Sequence, residues 1–256
     1  MTRPNRQLFW PAAVFVIAIG AIAGVTPAAA QSASSARVEI SANAGVQTGA
    51  STFTASNTLA SNGGENETIT VDYDTKAALG FSVGGAVRLA SRVWVGAQYA
   101  MTEMKPSASI TAVIPHPILF NASRTVEGAV DDVAHKEQNV HVALMYALPV
   151  QALDVKVMGG PTFFNVKQDF VSGVTISETY PFDTATFTNA TTKQLSERAV
   201  GFNAGVDISR LISSNVGVGA LVRYSRADVK FDDSNIGQQT VKAGGLEVAG
   251  GLRLRF

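Results

Sequence analysis

Apolar and polar residues alternate along most of the chain after residue 36. From Ile69 to Leu89 the odd positions are mainly apolar, whereas the even positions are polar, small or charged. Successive side chains of a β-strand point to opposite faces, so this alternation predicts one long strand with a single apolar face. Similar segments begin near residues 37, 93, 139, 155, 200, 216 and 244. No segment after residue 30 shows the helical period of 3.6 residues, and the chain is therefore predicted to be all-β with eight strands.

The connections between the predicted strands alternate in length. Short turns lie near residues 90–92, 149–154 and 209–215. Long polar stretches are centred on residues 51–66, 105–136, 172–196 and 230–239. An even number of antiparallel strands with short turns at one end and long loops at the other is typical of bacterial outer-membrane barrels. The sequence therefore predicts an eight-stranded antiparallel up-and-down transmembrane β-barrel.

The polar face of the predicted strands carries nine ionisable residues. They are Glu39, Lys76, Arg88, His141, Asp207, Arg223, Glu247, Arg253 and Arg255. With this face inward, among the small residues that suit a narrow eight-stranded lumen, opposite charges would pair and plug the barrel. With this face outward, the same residues would form the solvated surface of a soluble barrel. Periodicity alone allows both arrangements.

The first thirty residues differ in kind from the rest. Arg3 and Arg6 precede a continuously apolar or small stretch at residues 8–25. The small residues Ala28 and Ala30 then form a cleavage site before Gln31. This order predicts a secretory signal peptide at residues 1–30 and a barrel domain at residues 31–256. The alternative is an N-terminal membrane anchor, because the apolar stretch is just long enough to span a bilayer.

The last strand ends on apolar residues at alternate positions: Leu252, Leu254 and the terminal Phe256. This ending resembles the signal that outer-membrane proteins present to the barrel-assembly machinery. Together with the strand pattern and the Gly-Gly-Pro-Thr-Phe-Phe run at residues 159–164, it resembles the OmpA/OmpX-like outer-membrane β-barrel family over residues 36–256. The resemblance implies a location in the outer membrane of a Gram-negative bacterium. Outer-membrane lipid, lipopolysaccharide and the assembly machinery are then the expected partners.

Charge and histidine spacing narrow the possible functions. Without residues 1–30, the chain has 18 basic and 20 acidic residues, so no basic excess points to nucleic acid. The chain has no cysteine, which excludes disulfides, thiolate chemistry and a lipoprotein anchor. Lipid A deacylases of this architecture use a His near a Ser, and none of His116, His135 and His141 lies in a His-x-Ser arrangement. Asp131 and Asp132, near His135, resemble a protease Asp/His pair only faintly, and a solvated loop cluster is the favoured interpretation.

The pattern therefore predicts a non-enzymatic outer-membrane protein with four long outer loops and a structural or surface-interaction role. No cofactor is expected. No metal is expected either, because the acidic pairs at residues 131–132 and 232–233 lack the ligand spacing of a calcium loop. The alternative function is a narrow pore or an OmpW-like conduit for small or hydrophobic solutes. The apolar residues within 105–136 keep this alternative open, since they could form a hairpin extension or a lid.

Overall fold

The computed structural model describes residues 36–49, 53–60, 65–74, 77–150, 152–234 and 236–256. The predicted signal peptide and its cleavage site at Ala28, Ala30 and Gln31 lie outside these residues. The strands are β1 Val38–Gln47, β2 Phe53–Ala60, β3 Asn66–Asp74, β4 Ala78–Arg88, β5 Val93–Met104, β6 Ser107–Pro115, β7 Ser123–Val130, β8 His135–Leu148, β9 Asp154–Glu178, β10 Ala185–Leu211, β11 Val216–Asp233 and β12 Gly237–Arg255. Within the described ranges, no helix is long and apolar enough to cross a membrane.

Eight of the strands form a closed antiparallel barrel. Their order around the ring is β1-β12-β11-β10-β9-β8-β5-β4, and the pairing of β1 with β4 closes it. Because the ring is closed, its strands leave no unpaired edge, as a hydrocarbon environment requires. The predicted eight-stranded antiparallel barrel is confirmed.

The prediction of one continuous strand from Ile69 to Leu89 is wrong. The structure divides this segment into β3 and β4, which belong to different sheets. β3 joins a separate antiparallel sheet of order β2-β3-β6-β7. The other three strands of this sheet, β2, β6 and β7, come from the segments predicted as the first and second long loops. β3 and β4 both have their apolar residues at odd positions, so the alternation continues across the boundary between them and does not reveal the change of sheet.

The second sheet packs against the parts of β9–β12 that extend beyond the rest of the ring. We call this unit the cap: strands β2, β3, β6 and β7 together with residues 164–199 and 226–243. A single hydrophobic core fills it, including Ile69, Val71, Tyr73, Ile110, Ile114, Val126, Phe164, Val166, Phe170, Val229, Phe231 and Val241. Direct contacts between its two sheets include the Val171 N–H, which donates to Tyr73 Oη at 2.9 Å, and the Tyr73 and Phe170 rings, which lie 6.2 Å apart.

A belt of apolar side chains faces outward around the barrel. Its most exposed members include Leu79, Phe81, Val83, Leu144, Val200, Phe202 and Leu252. On β8 the belt runs from Val140 to Leu148 and ends where Gln138 and Lys136 are the outward-facing residues. Residues 135–138 therefore lie beyond the belt, between it and the cap.

Candidate functional site: the barrel interior and the cap

Most of the nine ionisable residues predicted for the lumen are buried within the ring. Glu39, His141, Asp207, Arg223, Arg253 and Arg255 are each at most 7% exposed. Arg88 and Glu247 are partly buried, and Lys76 lies outside the described residues. Several of them make contacts between strands that are not neighbours in the ring, and such contacts pass through the barrel interior.

A four-membered ion cluster occupies the end of the barrel at which the short turns lie. Glu39 accepts hydrogen bonds from Lys156 Nζ at 2.7 Å and from Arg255 Nε at 2.6 Å. Asp154 also pairs with both cations, so the cluster contains two carboxylates and two cations. Lys156 Nζ lies 4.7 Å from the ring centre of Trp94, within cation–π range. Because β1 and β9 are not adjacent, the Glu39–Lys156 contact spans the lumen.

The set of lumen residues predicted from the sequence does not include Lys156 and Asp154. In the fifth predicted strand, the alternation of apolar and polar residues ends at the Gly159–Gly160 pair. The sequence therefore does not indicate which side chains of this strand point into the lumen. The signal was present in the first three residues, where Val155 and Val157 flank Lys156 with the usual parity. Lys156 is 1% exposed, and the pairing of β9 with β10 places it opposite the buried Asp207.

A second layer of paired charges lies further along the lumen. Arg253 contacts Asp207, and its Nη1 donates to Asn43 Oδ1 at 2.6 Å. Arg223 pairs with Glu247 at 2.5 Å and also donates to Gln98 on the opposite side of the ring. The two arginines are thus balanced by two carboxylates inside the barrel, which limits the cost of burying them.

The interior leaves little free space between these layers. A cavity lined by Ser41, Gln98, Met145, Leu221 and neighbouring residues has a volume of about 30 Å³. A volume of this size holds about one water molecule. At this position the described side chains therefore leave room for about one water molecule, which agrees with the side-chain-filled lumen expected of an eight-stranded barrel.

A buried polar network separates the lumen from the cap core. Glu137 is 1% exposed and accepts hydrogen bonds from Gln47 Nε2 at 2.9 Å, His135 Nε2 at 3.0 Å and Asn139 Nδ2 at 3.2 Å. It also accepts the Gly244 N–H at 3.0 Å. Gly244 has a φ of +91°, a backbone conformation that residues with a Cβ rarely adopt.

The His135–Glu137 contact shifts both pKa values. Burial on its own lowers the pKa of His135, but the hydrogen bond and charge of Glu137 outweigh it and raise that pKa above 6.5. Burial on its own raises the pKa of Glu137, but the contacts with His135, Gly244 and Gln47 outweigh it and lower that pKa below 4.5. At neutral pH, Glu137 is therefore a carboxylate.

The two acidic residues near His135 do not form a pair with it. Asp131 and Asp132 are exposed, whereas His135 is 3% exposed and contacts Gln168 and Glu137 instead. His135 is therefore closed off from solvent. Within the described ranges, no group of three or more His, Cys, Asp or Glu residues is arranged to hold a metal ion.

The residues of the predicted assembly signal lie on the outer surface of the last strand. Leu252, Leu254 and Phe256 are 55%, 37% and 62% exposed. The Phe256 carbonyl accepts the Arg37 and Val38 N–H groups at 2.7 and 3.1 Å, next to the β1–β12 pairing. The apolar end of the chain thus belongs to the outward belt and to the junction of the first and last strands.

No protein-family model and no curated protein matches this chain. Among solved structures, the outer membrane protein OprG from Pseudomonas aeruginosa aligns with a TM-score of 0.51 at 11% identity, over 86% of this chain and 96% of OprG. The outer membrane protease OmpT from Escherichia coli aligns with a TM-score of 0.48 at 11% identity, over 86% of this chain and 97% of OmpT. Neisserial surface protein A aligns with a TM-score of 0.42 at 12% identity, over 86% of this chain and 97% of the Neisserial protein.

The alignment with OprG, at 11% identity, indicates a shared fold and nothing finer. The chain has the fold of small outer-membrane β-barrel proteins. The resemblance to the OmpA/OmpX-like family within this class stays a prediction.

Proposed function

We propose that this chain is a non-enzymatic, integral outer-membrane protein of a Gram-negative bacterium whose barrel is closed to solutes and whose cap interacts with molecules at the cell surface. The short connections around Arg92, Val150 and Ser213 lie at one end of the barrel, and the cap lies at the other. In bacterial outer-membrane barrels the short turns face the periplasm. This orientation places the cap outside the cell, with outer-membrane lipid and lipopolysaccharide around the belt.

The charged contacts that cross the lumen, Lys156 with Glu39 and Arg223 with Gln98, are the observation that carries the proposal of a closed barrel. Paired charges cross the lumen, the Glu137 network lies above them, and the cap core follows. The apolar residues that favoured a conduit belong in part to this core, since Ile110 and Ile114 are at most 5% exposed. A surface-interaction role is supported over a pore or an OmpW-like conduit for this reason.

Conductance in a planar lipid bilayer tests the closed barrel. We expect the refolded protein to insert without discrete current steps, because paired charges cross the lumen in two layers. Heat-dependent mobility in detergent gels serves as the control that the inserted protein is folded. Steady, reproducible steps from folded protein would overturn the closed-barrel proposal and favour the conduit.

The orientation is tested with single cysteines, because the native chain has none. Thr125 is exposed on β7 of the cap, and Ser213 is exposed in a short turn. A membrane-impermeant maleimide should label Thr125→Cys on intact cells, and Ser213→Cys only after the outer membrane is permeabilised. The reverse labelling pattern would contradict the proposed orientation.

Recognition by the barrel-assembly machinery is tested at Phe256. Phe256 is 62% exposed, so its replacement by Ser removes little packing inside the barrel. We expect Phe256→Ser to lower the amount of folded protein in the outer membrane while the purified variant still refolds in detergent. Equal amounts of variant and wild-type protein in the membrane would argue against a role of Phe256 in assembly.

A further inference from the structure

The cap opens into a cavity at the end farthest from the barrel. The cavity has a volume of about 420 Å³, within the range of about 300–1,000 Å³ that is typical of ligand sites. Its apolar wall includes Ile114, Val174, Ile176, Ile118, Leu119 and Phe120. Its ionisable lining is Glu65, Glu67, His116, Arg124 and Glu178. We call this cavity the distal pocket.

The ionisable lining lies on the inward face of the cap. On β3 the odd positions Ile69, Val71 and Tyr73 face the core, and the same parity places Glu67 inward at the distal end. On β6 the inward series that includes Ile114 continues to the buried His116. The inner face of the cap therefore changes from apolar to ionisable at the distal ends of β3 and β6. Two packed sheets that bind no ligand have no need of charged residues on their inner faces.

Hydrogen bonds hold the walls of the distal pocket in place. Arg124 Nη1 donates to Glu178 Oε2 at 2.6 Å and to the Phe182 carbonyl at 2.8 Å, and Nη2 donates to the Pro115 carbonyl at 3.0 Å. Arg124 thus ties the β6–β7 turn to the β9–β10 turn. Glu65 Oε1 accepts the Asn121 N–H at 2.6 Å, which fixes the third wall to the same turn.

Two buried donors beside this cavity have no partner. His116 Nδ1 accepts the N–H groups of Ile118 and Leu119 at 3.1 and 3.0 Å, so the proton of the neutral ring is on Nε2. Neither His116 Nε2 nor Arg124 Nε has a hydrogen-bond partner among the described residues. The nearest carboxylate oxygen to His116 Nε2, on Asp183, is 3.8 Å away. A carbonyl oxygen would satisfy donors of this kind.

The charge around the distal pocket favours a cationic ligand. The lining of this pocket contains three glutamates, Glu65, Glu67 and Glu178, and one arginine, Arg124. At the turn itself, Ile118, Leu119 and Phe120 are 62%, 54% and 74% exposed. The surface at this end therefore combines an acidic field with apolar side chains.

We propose that the distal pocket binds short cationic peptides with apolar side chains. A peptide ammonium lies against Glu65 and Glu67, backbone carbonyls accept from His116 and Arg124, and apolar side chains pack on the 118–120 turn. A peptide supplies all three features, whereas a neutral glycan lacks the cation and an anionic glycan is repelled. The inference rests on the proposed surface location only for access of the peptide to the site.

Fluorescence anisotropy with the purified full-length barrel in detergent tests the site. The probe is a labelled peptide of alternating Lys and Leu, and Glu65→Gln with Glu67→Gln should weaken its binding about tenfold or more, since bonds to charged groups are strong. The matched control is Glu127→Gln with Asp131→Asn, which removes the same charge from exposed positions away from the distal pocket. This control should retain wild-type affinity within about twofold, as expected for screened surface charges.

Several outcomes would overturn the inference. They are equal weakening by the two double variants, equal affinity for a peptide with Gln in place of Lys, and no binding by wild-type protein. Binding of a labelled neutral oligosaccharide by wild-type protein that does not bind the peptide would assign the cavity to a glycan instead. Because the protein is purified, each result is independent of its orientation in the membrane. Mass spectrometry of the recovered peptide separates binding from cleavage, and cleavage would contradict the non-enzymatic proposal and not the site.

Discussion

Replacing Glu39 by Gln probes whether the barrel interior is dry. Glu39 is 6% exposed and accepts hydrogen bonds from Lys156 Nζ at 2.7 Å and from Arg255 Nε at 2.6 Å. The variant keeps the side-chain volume and leaves Lys156, whose side chain is 1% exposed, with Asp154 at 3.5 Å as its carboxylate partner. Two buried cations then share one carboxylate. Removing one partner of a buried ion pair costs about 3–5 kcal/mol, and we expect a value near the lower end because Gln can still accept a hydrogen bond.

Glu103→Gln is the matched control. Glu103 pairs with Lys136 at 3.1 Å, and their side chains are 46% and 44% exposed. The substitution is identical and the partner is again a lysine, but the pair is in contact with solvent. Exposed pairs contribute about 0–1 kcal/mol, so the two variants should differ by at least about 2 kcal/mol.

The assay is urea unfolding of the refolded barrel in detergent, followed by tryptophan fluorescence. Trp94 is the one tryptophan after residue 30, and it lies 4.7 Å from Lys156 Nζ, so it reports on the ion cluster directly. If the two variants lose the same free energy of unfolding, within about 1 kcal/mol, the Glu39 cluster is hydrated like a surface pair. That result would refute the filled interior and with it the closed barrel.

Three further perturbations address the cap. Phe170→Ala should destabilise the cap by about 3–5 kcal/mol, because the ring is fully buried, and limited proteolysis should then cut the cap while the heat-dependent gel shift persists. Gly128→Ala should cost about 1–3 kcal/mol of unfolding free energy, since a Cβ there would lie 2.3 Å from the Phe187 ring; the smaller Phe187→Leu should restore part of it, and no restoration would contradict the proposed clash. Glu137→Gln should flatten the dependence of stability on pH. The raised pKa of His135 stabilises the fold below pH 6.5, and this contribution is lost as pH rises through the pKa of the folded state. The lowered pKa of Glu137 stabilises the fold above pH 4.5, and this contribution is lost as pH falls through the pKa of the folded state. The wild-type protein should therefore exceed the variant in stability most between pH 4.5 and 6.5, and a difference in stability that does not vary with pH would exclude the pair as its source.

The barrel could be predicted from the sequence because its physics is periodic. Each barrel strand presents one face to the outward belt and one to the lumen, so the parity that makes Val222 outward makes Arg223 inward. The alternating lengths of the connections then set the direction of successive strands. These signals are local, and they led to eight strands in the correct order.

The cap could not be predicted in the same way. Whether Val71 faces lipid or a protein core depends on the sheet that covers it, and the alternation is the same in both cases. The distal pocket depends on the hydrogen bond from Arg124 to Glu178, and these two residues are 54 positions apart in the sequence. The Glu137 network likewise needs Gly244, 107 residues away, to present its N–H. Such partners are brought together by the pairing register of distant segments, and the local alternation of apolar and polar residues does not indicate that register.

The distribution of paired and unpaired groups indicates where this molecule can bind a ligand. In the lumen, the buried cations Lys156, Arg223, Arg253 and Arg255 each have a carboxylate partner, so an incoming ligand would have to displace an existing ion pair. In the distal pocket, inward carboxylates stand beside two donors without partners and a cavity large enough for a ligand. A ligand carbonyl can accept from these two donors while Arg124 Nη1 stays bonded to Glu178, and desolvation of the apolar turn would add to the affinity. A surface-interaction role therefore follows from the cap more directly than any transport role follows from the barrel.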